Sequence, residues 1–287
     1  MEKSIEQNKM YIDRETLEVI IKRLKKETAR KVIKIRVTDG PTPKLTDSKF
    51  GGYPYWTANI DYPVNSEGDK LILLAQVNLK DVEDEHFPEG GLLQFFISTD
   101  DCNGLCDEKG YKVVYHSTID ESVTEEDVKA MGIRSAGDLN SDEEYMPLYA
   151  CLPIRFETGE ESIGSECYNF EEKFLAVLKD VMGIDANDHS YEDYYKSGRL
   201  LSDDDDNYLM DCFDGCGHKM LGYPFFTQDD PRSDGENDIL LFQMDSEMLE
   251  GDAEIMWGDS GVGNFFINES DLRALNFDNV FYNWDCC

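Results

Sequence analysis

Phe50-Gly-Gly-Tyr-Pro-Tyr-Trp56, Leu71-Ile-Leu-Leu-Ala-Gln-Val77 and Gly91-Leu-Leu-Gln-Phe-Phe-Ile97 recur, in the same order, as Leu221-Gly-Tyr-Pro-Phe-Phe226, Ile239-Leu-Leu-Phe-Gln-Met244 and Gly261-Val-Gly-Asn-Phe-Phe-Ile267. Gly52 and Gly222 open matching Gly-Tyr-Pro triplets 170 residues apart, and Phe95 and Phe265 open matching Phe-Phe pairs at the same offset. Gln76 and Gln243, each a lone amide in an apolar run, stand 167 apart. An ordered recurrence at nearly constant spacing reads as an internal duplication. Each copy holds a glycine–proline turn, a continuous apolar strand and a Phe-Phe strand, the pattern of strands buried on both faces.

Outside these cores, Leu17, Ile20, Ile21, Leu24 and Thr28 share one face of a helix predicted over 13–30, with Asp13 as its cap. Val32-Ile-Lys-Ile-Arg-Val37 alternates with period two and predicts a strand, as do Tyr111–Tyr115 and Ala150–Phe156. Thr124-Glu-Glu-Asp127 has the spacing of a capping box. Asn169 opens a second helix with Phe170, Phe174, Val177, Leu178 and Val181 inward and Gly183 at its end. Tyr191, Tyr194 and Tyr195 predict a turn, and Asp203-Asp-Asp-Asp206 a solvated acidic run. Ser270–Leu275 predicts a short helix and Val280–Trp284 a closing strand. The Gly-, Ser- and Glu-rich stretch between Glu157 and Glu166 predicts a seam. Residues 1–157 then form a first helix-plus-sheet repeat with extra strands, and 158–287 a second. The fold class is α+β: two β-rich repeats, each introduced by an amphipathic helix, packed as one compact body with the helices covering the Phe-Phe strands.

The chain of 287 residues carries 27 basic and 61 acidic side chains, a net charge of −34. That balance excludes nucleic-acid binding through phosphates and docking on anionic membranes, and it favours a basic protein partner or bound cations. Residues 1–36 run the other way, with 11 basic and 6 acidic residues, and suit docking against the chain's own acidic body. The N-terminus shows no apolar signal region, and no run approaches the ~20 apolar residues of a membrane helix. A cytoplasmic location follows as the expectation, and with it eight reduced cysteines.

Chemistry-bearing motifs are few. Gly258-Asp259-Ser260-Gly261 resembles the surroundings of a protease serine, but His86, His116, His189 and His218 stand in no triad context, so the segment reads as a glycine-rich turn. Cys102-x3-Cys106 and Cys212-x3-Cys216 have spacings that zinc tolerates, and zinc is the one cofactor for which the sequence offers a ligand set; otherwise the cofactor is unknown. A primary amide in an apolar strand must find partners for two hydrogens and an oxygen. Gln76 and Gln243 therefore either bridge backbone or face a cleft between the repeats, with Trp56, Trp257 and Asp259 beside the ligand.

The ordered set Ser48-Lys-Phe-Gly-Gly-Tyr-Pro54, Leu73-Leu-Ala-Gln-Val-Asn-Leu79, Gly91-Leu-Leu-Gln-Phe-Phe96, His218-Lys-Met-Leu-Gly-Tyr-Pro224 and Met256-Trp-Gly-Asp-Ser-Gly-Val-Gly-Asn-Phe-Phe266 resembles the YwqG-like family of bacterial proteins, a domain of unknown function. The resemblance covers roughly residues 48–287. It implies a cytosolic α+β protein, often encoded near polymorphic toxin and immunity genes, and supplies no catalytic residues. Two functions stand as expectations: an acidic binding protein, an immunity-type factor that masks a basic protein, or a small-ligand binder or enzyme using the inter-repeat cleft.

Overall fold

Leu17, Ile20, Ile21 and Leu24 are buried along one side of the first helix, as their spacing requires. The computed structural model describes residues 12–185, 187–196, 198, 200–233, 236–249 and 254–287. Among them the helices are α1 (Arg14–Glu27), α2 (Glu125–Ala130), α3 (Phe170–Met182), α4 (Ser190–Lys196), α5 (Asp203–Cys212) and α6 (Glu269–Arg273). Asp13 caps α1 by accepting from the Thr16 N–H at 2.8 Å, and Gly183 ends α3 in the left-handed conformation. The α1 face meets Phe170, Phe174, Leu178, Leu209 and Phe213 in a cluster that joins α1, α3 and the end of α5.

The strands are β1 (Arg30–Val37), β2 (Lys49–Gly51), β3 (Ile72–Asn78), β4 (Leu92–Ile97), β5 (Tyr111–His116), β6 (Cys151–Glu161), β7 (Lys219–Leu221), β8 (Ile239–Asp245), β9 (Glu247–Met248), β10 (Glu254–Ile255), β11 (Val262–Ile267) and β12 (Phe281–Asp285). Ten of them form one antiparallel sheet in the order β12-β11-β8-β7-β1-β6-β2-β3-β4-β5; β9 and β10 pair separately. The sheet nearly closes on itself. Its two edge strands approach where the Tyr111 hydroxyl donates to the Val280 carbonyl at 3.2 Å and Lys112 pairs with Asp278 at 2.6 Å. An open edge is a template for unwanted pairing, and this meeting shields both. Inside, Phe95 stacks on Phe242 with centroids 4.6 Å apart and meets Phe265 edge-on at 5.2 Å.

The outward members of the Phe-Phe pairs are covered differently from the sequence expectation. Trp56 packs edge-on against Phe96 at 5.9 Å, and Phe226 stacks on Phe266 at 6.0 Å. The cover therefore comes from the segments that follow each Gly-Tyr-Pro turn, while α1 and α3 bury their apolar faces mainly against one another. The expected layer of two helices over the Phe-Phe strands is corrected accordingly.

The predicted seam is also corrected. β6 runs on to Glu161, so the boundary between 157 and 158 falls inside a strand that pairs with β1 from Arg30↔Glu161 to Val37↔Ile154. Its glutamates look like linker composition in isolation. Across the ladder, however, Glu160 lies opposite Lys31 and Glu157 opposite Lys34, and Glu157 forms its ion pairs with Arg36 on β1 and Arg155 on its own strand. The basic N-terminal segment likewise engages the acidic body through Arg14–Asp205 and Lys31–Asp84. Asp203–Asp206 is the first turn of α5, capped by Ser202, where four carboxylates meet the positive end of the helix dipole. The tyrosine-rich turn is the short helix α4.

Candidate functional site

Gln76 sits on β3 and Gln243 on β8, both fully buried. Each lies opposite a buried lysine on the short neighbouring strand, Lys49 and Lys219. Gln76 Oε1 accepts from the Tyr55 N–H at 3.0 Å, and its amide nitrogen donates to the Leu45 and Asp47 carbonyls at 2.9 Å each. Gln243 repeats the arrangement: its oxygen accepts from the Phe225 N–H at 2.8 Å and its nitrogen donates to the Gly215 and Gly217 carbonyls at 3.1 and 2.8 Å. Each amide thereby ties two loops to a strand, satisfying backbone groups that burial would otherwise leave unpaired.

The first amide goes further. Gln94 on β4 donates to the Tyr55 carbonyl at 2.9 Å and to Gln76 Oε1 at 2.8 Å, so its own oxygen can only accept. That oxygen meets His116 Nε2 at 2.9 Å. Nε2 therefore carries the ring hydrogen and Nδ1 a lone pair, a tautomer assigned from the fixed Tyr55 N–H outward. Burial pushes the His116 pKa down to about 4, so the ring is neutral at physiological pH. In the second core Asn264 donates to the Phe225 carbonyl at 2.9 Å, and its oxygen finds no partner among the described residues. Asn264 is one methylene shorter than Gln94, and the relay stops there.

His116 and Trp56 line a cavity of about 690 Å³, bordered by Thr57, Asp120 and Asp127. Trp56 and His116 meet edge-on at 5.0 Å, and the Trp56 indole donates to the Ile60 carbonyl at 2.9 Å. A second cavity of about 490 Å³ lies on the other side of Trp56, toward Lys112 and Asp278 at the closure of the sheet.

The residues singled out from the sequence do not gather at one place. Of Gln76, Gln243, Trp56, Trp257 and Asp259, only Trp56 lines one of the five cavities described among the defined residues. Trp257 is fully buried, and Gly263 makes room for it: a Cβ there would come within 2.4 Å of the Trp257 ring. The glycine-rich segment thus accommodates a tryptophan. Asp259 is exposed on the turn beside Ser260. The four histidines are engaged elsewhere: His86 with Asp84, His116 with Gln94, His189 with Glu192, and His218 with Glu247 and the Asp245 N–H. Cys102 and Cys106 bring their sulfurs to 2.6 Å, but Cys212 and Cys216 do not join them. Among the described residues the one group of ligand-type side chains close enough to hold a metal is Asp100, Asp101 and Cys102, so the four-cysteine zinc site is not assembled. Gln94 and His116 escaped the sequence reading because a glutamine beside Phe-Phe and a histidine ending a strand carry no local mark. Their signal is the offset of 170 between Gln94 and Asn264.

Over residues 48–286 the chain matches the family model described as Domain of unknown function (DUF1963). No curated protein matches it.

Replacing Gln76 by Leu strands the Tyr55 N–H and the Asp47 carbonyl, while the Leu45 carbonyl keeps Lys49 and Gln94 keeps the Tyr55 carbonyl; urea unfolding should show a loss of roughly 2–6 kcal/mol, since each orphaned buried group costs about 1–3 kcal/mol. His116 adds a pH dependence. Its folded pKa of about 4 lies below the ordinary value near 6.5, so the unfolded chain binds the extra proton between them. Its stabilising contribution is present above about pH 6.5 and is lost as pH falls toward about 4, by up to roughly 3 kcal/mol. Urea midpoints measured over that window should fall more steeply in the natural chain than in His116→Gln.

Proposed function

The chain belongs to the DUF1963 family of domains of unknown function, and we propose that it is a non-enzymatic binding protein whose acidic surface takes a basic protein partner. The observation that carries this reading is the surplus of 61 acidic over 27 basic residues. Many of the cations are already neutralised within the chain, as in Arg14–Asp205, Lys31–Asp84, Lys219–Glu161 and Arg232–Asp230. Exposed carboxylates remain on the first turns of α2 (Glu126) and α5 (Asp203, Asp204) and on the loop at Asp142 and Glu143. A surface of one sign speeds encounter with a partner of the other and rejects acidic competitors.

The YwqG-like resemblance, with its toxin and immunity gene company, supports an immunity-type role: a cytoplasmic factor that masks a basic toxin. No helix among the described residues is long and apolar enough to cross a membrane. The matched registers Lys49↔Gln76 and Lys219↔Gln243 support a duplicated origin for the two cores. The second reading, a ligand site, is favoured by the cavity at His116 rather than by a cleft between Gln76 and Gln243.

Affinity capture of the tagged chain from its native lysate, at low and high salt, tests the proposal. One basic protein recovered in stoichiometric amount and released at high salt is the expected result. Recovery of no basic protein at low salt would contradict it.

A further inference from the structure

His116 is 5% exposed, and the tautomer imposed by Gln94 leaves Nδ1 as an acceptor with no partner among the described residues. Nδ1 is also absent from the fully enclosed unpaired atoms (Trp257 Nε1 and Asn264 Oδ1 among them), and His116 is one of the residues that line the cavity. The other core shows why this cavity exists. Register places Asp285 where His116 stands: His116 is opposite Leu92 and Asp285 opposite Val262, again 170 residues on. Asp285 accepts from the Thr227 N–H and hydroxyl at 3.1 Å and from the Gln228 N–H at 3.2 Å, which draws that segment down. In the first core His116 turns inward to Gln94, and the matching Thr57 and Ala58 border open space.

The polar rim of that space is acidic. Asp120 spends one carboxylate oxygen on Ser122 and Asp127 one on Thr124, and the second oxygen of each has no partner among the described residues. No lysine or arginine lines the cavity, while Trp56, Val123 and Met131 supply apolar surface. Three unpaired acceptors and an apolar lining complement a group that has only hydrogens to give and an alkyl stem to bury.

We propose that the cavity beside His116 is a binding site for a small organic cation, an alkylammonium or alkylguanidinium, whose N–H groups find acceptors among His116 Nδ1, Asp120 and Asp127. The site does not depend on the acidic-surface reading. A free small molecule is the occupant, since its whole stem fits within about 690 Å³.

Calorimetry of the full chain with n-butylamine and n-butylguanidine, and with acetate as the anionic contrast, tests it alongside nitrogen-15 spectra of the histidine rings. Saturable binding of at least one cation, at a Kd of ~1 mM or tighter, is the expected result, with none for acetate. On saturation the His116 Nδ1 resonance should shift while Nε2 stays in place. His116→Phe and Asp120→Asn should each weaken binding by about tenfold or more, the cost of one charge-assisted or buried hydrogen bond. The pair Asp203→Asn and Asp204→Asn, outside the cavity, should leave binding unchanged. Absence of saturable binding for both cations, equal binding of acetate, or an unmoved Nδ1 resonance at saturation would overturn the proposal. The spectra need no substitution, so the test stands even if His116→Phe does not fold.

Discussion

Two buried primary amides hold this fold to one arrangement. The loops that carry Tyr55 and Phe225 lie over the sheet without belonging to it, and their inward backbone groups would lose water on burial without gaining a partner. Gln76 and Gln243 act at matching places on β3 and β8: each oxygen accepts the Tyr55 or Phe225 N–H, and each nitrogen donates to two carbonyls of the loop before the Gly-Tyr-Pro turn, Leu45 and Asp47 or Gly215 and Gly217. Once those loops are anchored, Trp56 and Phe226 close over Phe96 and Phe266, and both faces of each Phe-Phe strand are shielded. Gln94 and Asn264 add a second bond to the same segments, at the Tyr55 and Phe225 carbonyls. Buried polar groups that are fully satisfied specify a structure more sharply than an apolar core alone.

On matching registers the two cores differ in ways that single residues explain. Leu93 in the first is Gly263 in the second, and the space gained holds Trp257. Lys219 is neutralised by both oxygens of Glu161 at 3.1 Å, whereas Lys49 donates to the Lys44 and Leu45 carbonyls and is driven by burial down to about 8. Gln94 reaches Gln76 and passes its orientation on to His116; Asn264 falls short, and Asp285 takes up Thr227 and Gln228 instead. One core therefore closes its outer loop with a carboxylate, and the other leaves a cavity over a neutral imidazole.

Much of this was legible in the chain because its signals are local. The helical spacing of Leu17, Ile20, Ile21 and Leu24, the alternation of Val32–Val37 and the capping box at Thr124 each reflect forces acting within a turn or a strand. Gln76 and Gln243 stood out because an amide in an apolar run demands partners, although only the structure shows that the partners are loop backbone. What stayed hidden is non-local. The charges of Glu157 and Glu160 read as linker until Lys34 and Lys31 lie opposite them. The helices looked like the cover for the Phe-Phe strands, since nothing in their own sequence says that α1 and α3 pack together. The cavity at His116 required the register of β4 with β5, which no spacing along the chain encodes.

Native-state hydrogen exchange at the Tyr55 and Phe225 amides tests the central claim most directly. Neither residue lies in a helix or strand, so without the glutamine bonds both would exchange on the fast timescale of surface loops. The account predicts that both exchange only with global unfolding, at the protection of the β3 and β8 core. Rapid exchange at either amide, with β3 and β8 still protected, would contradict it.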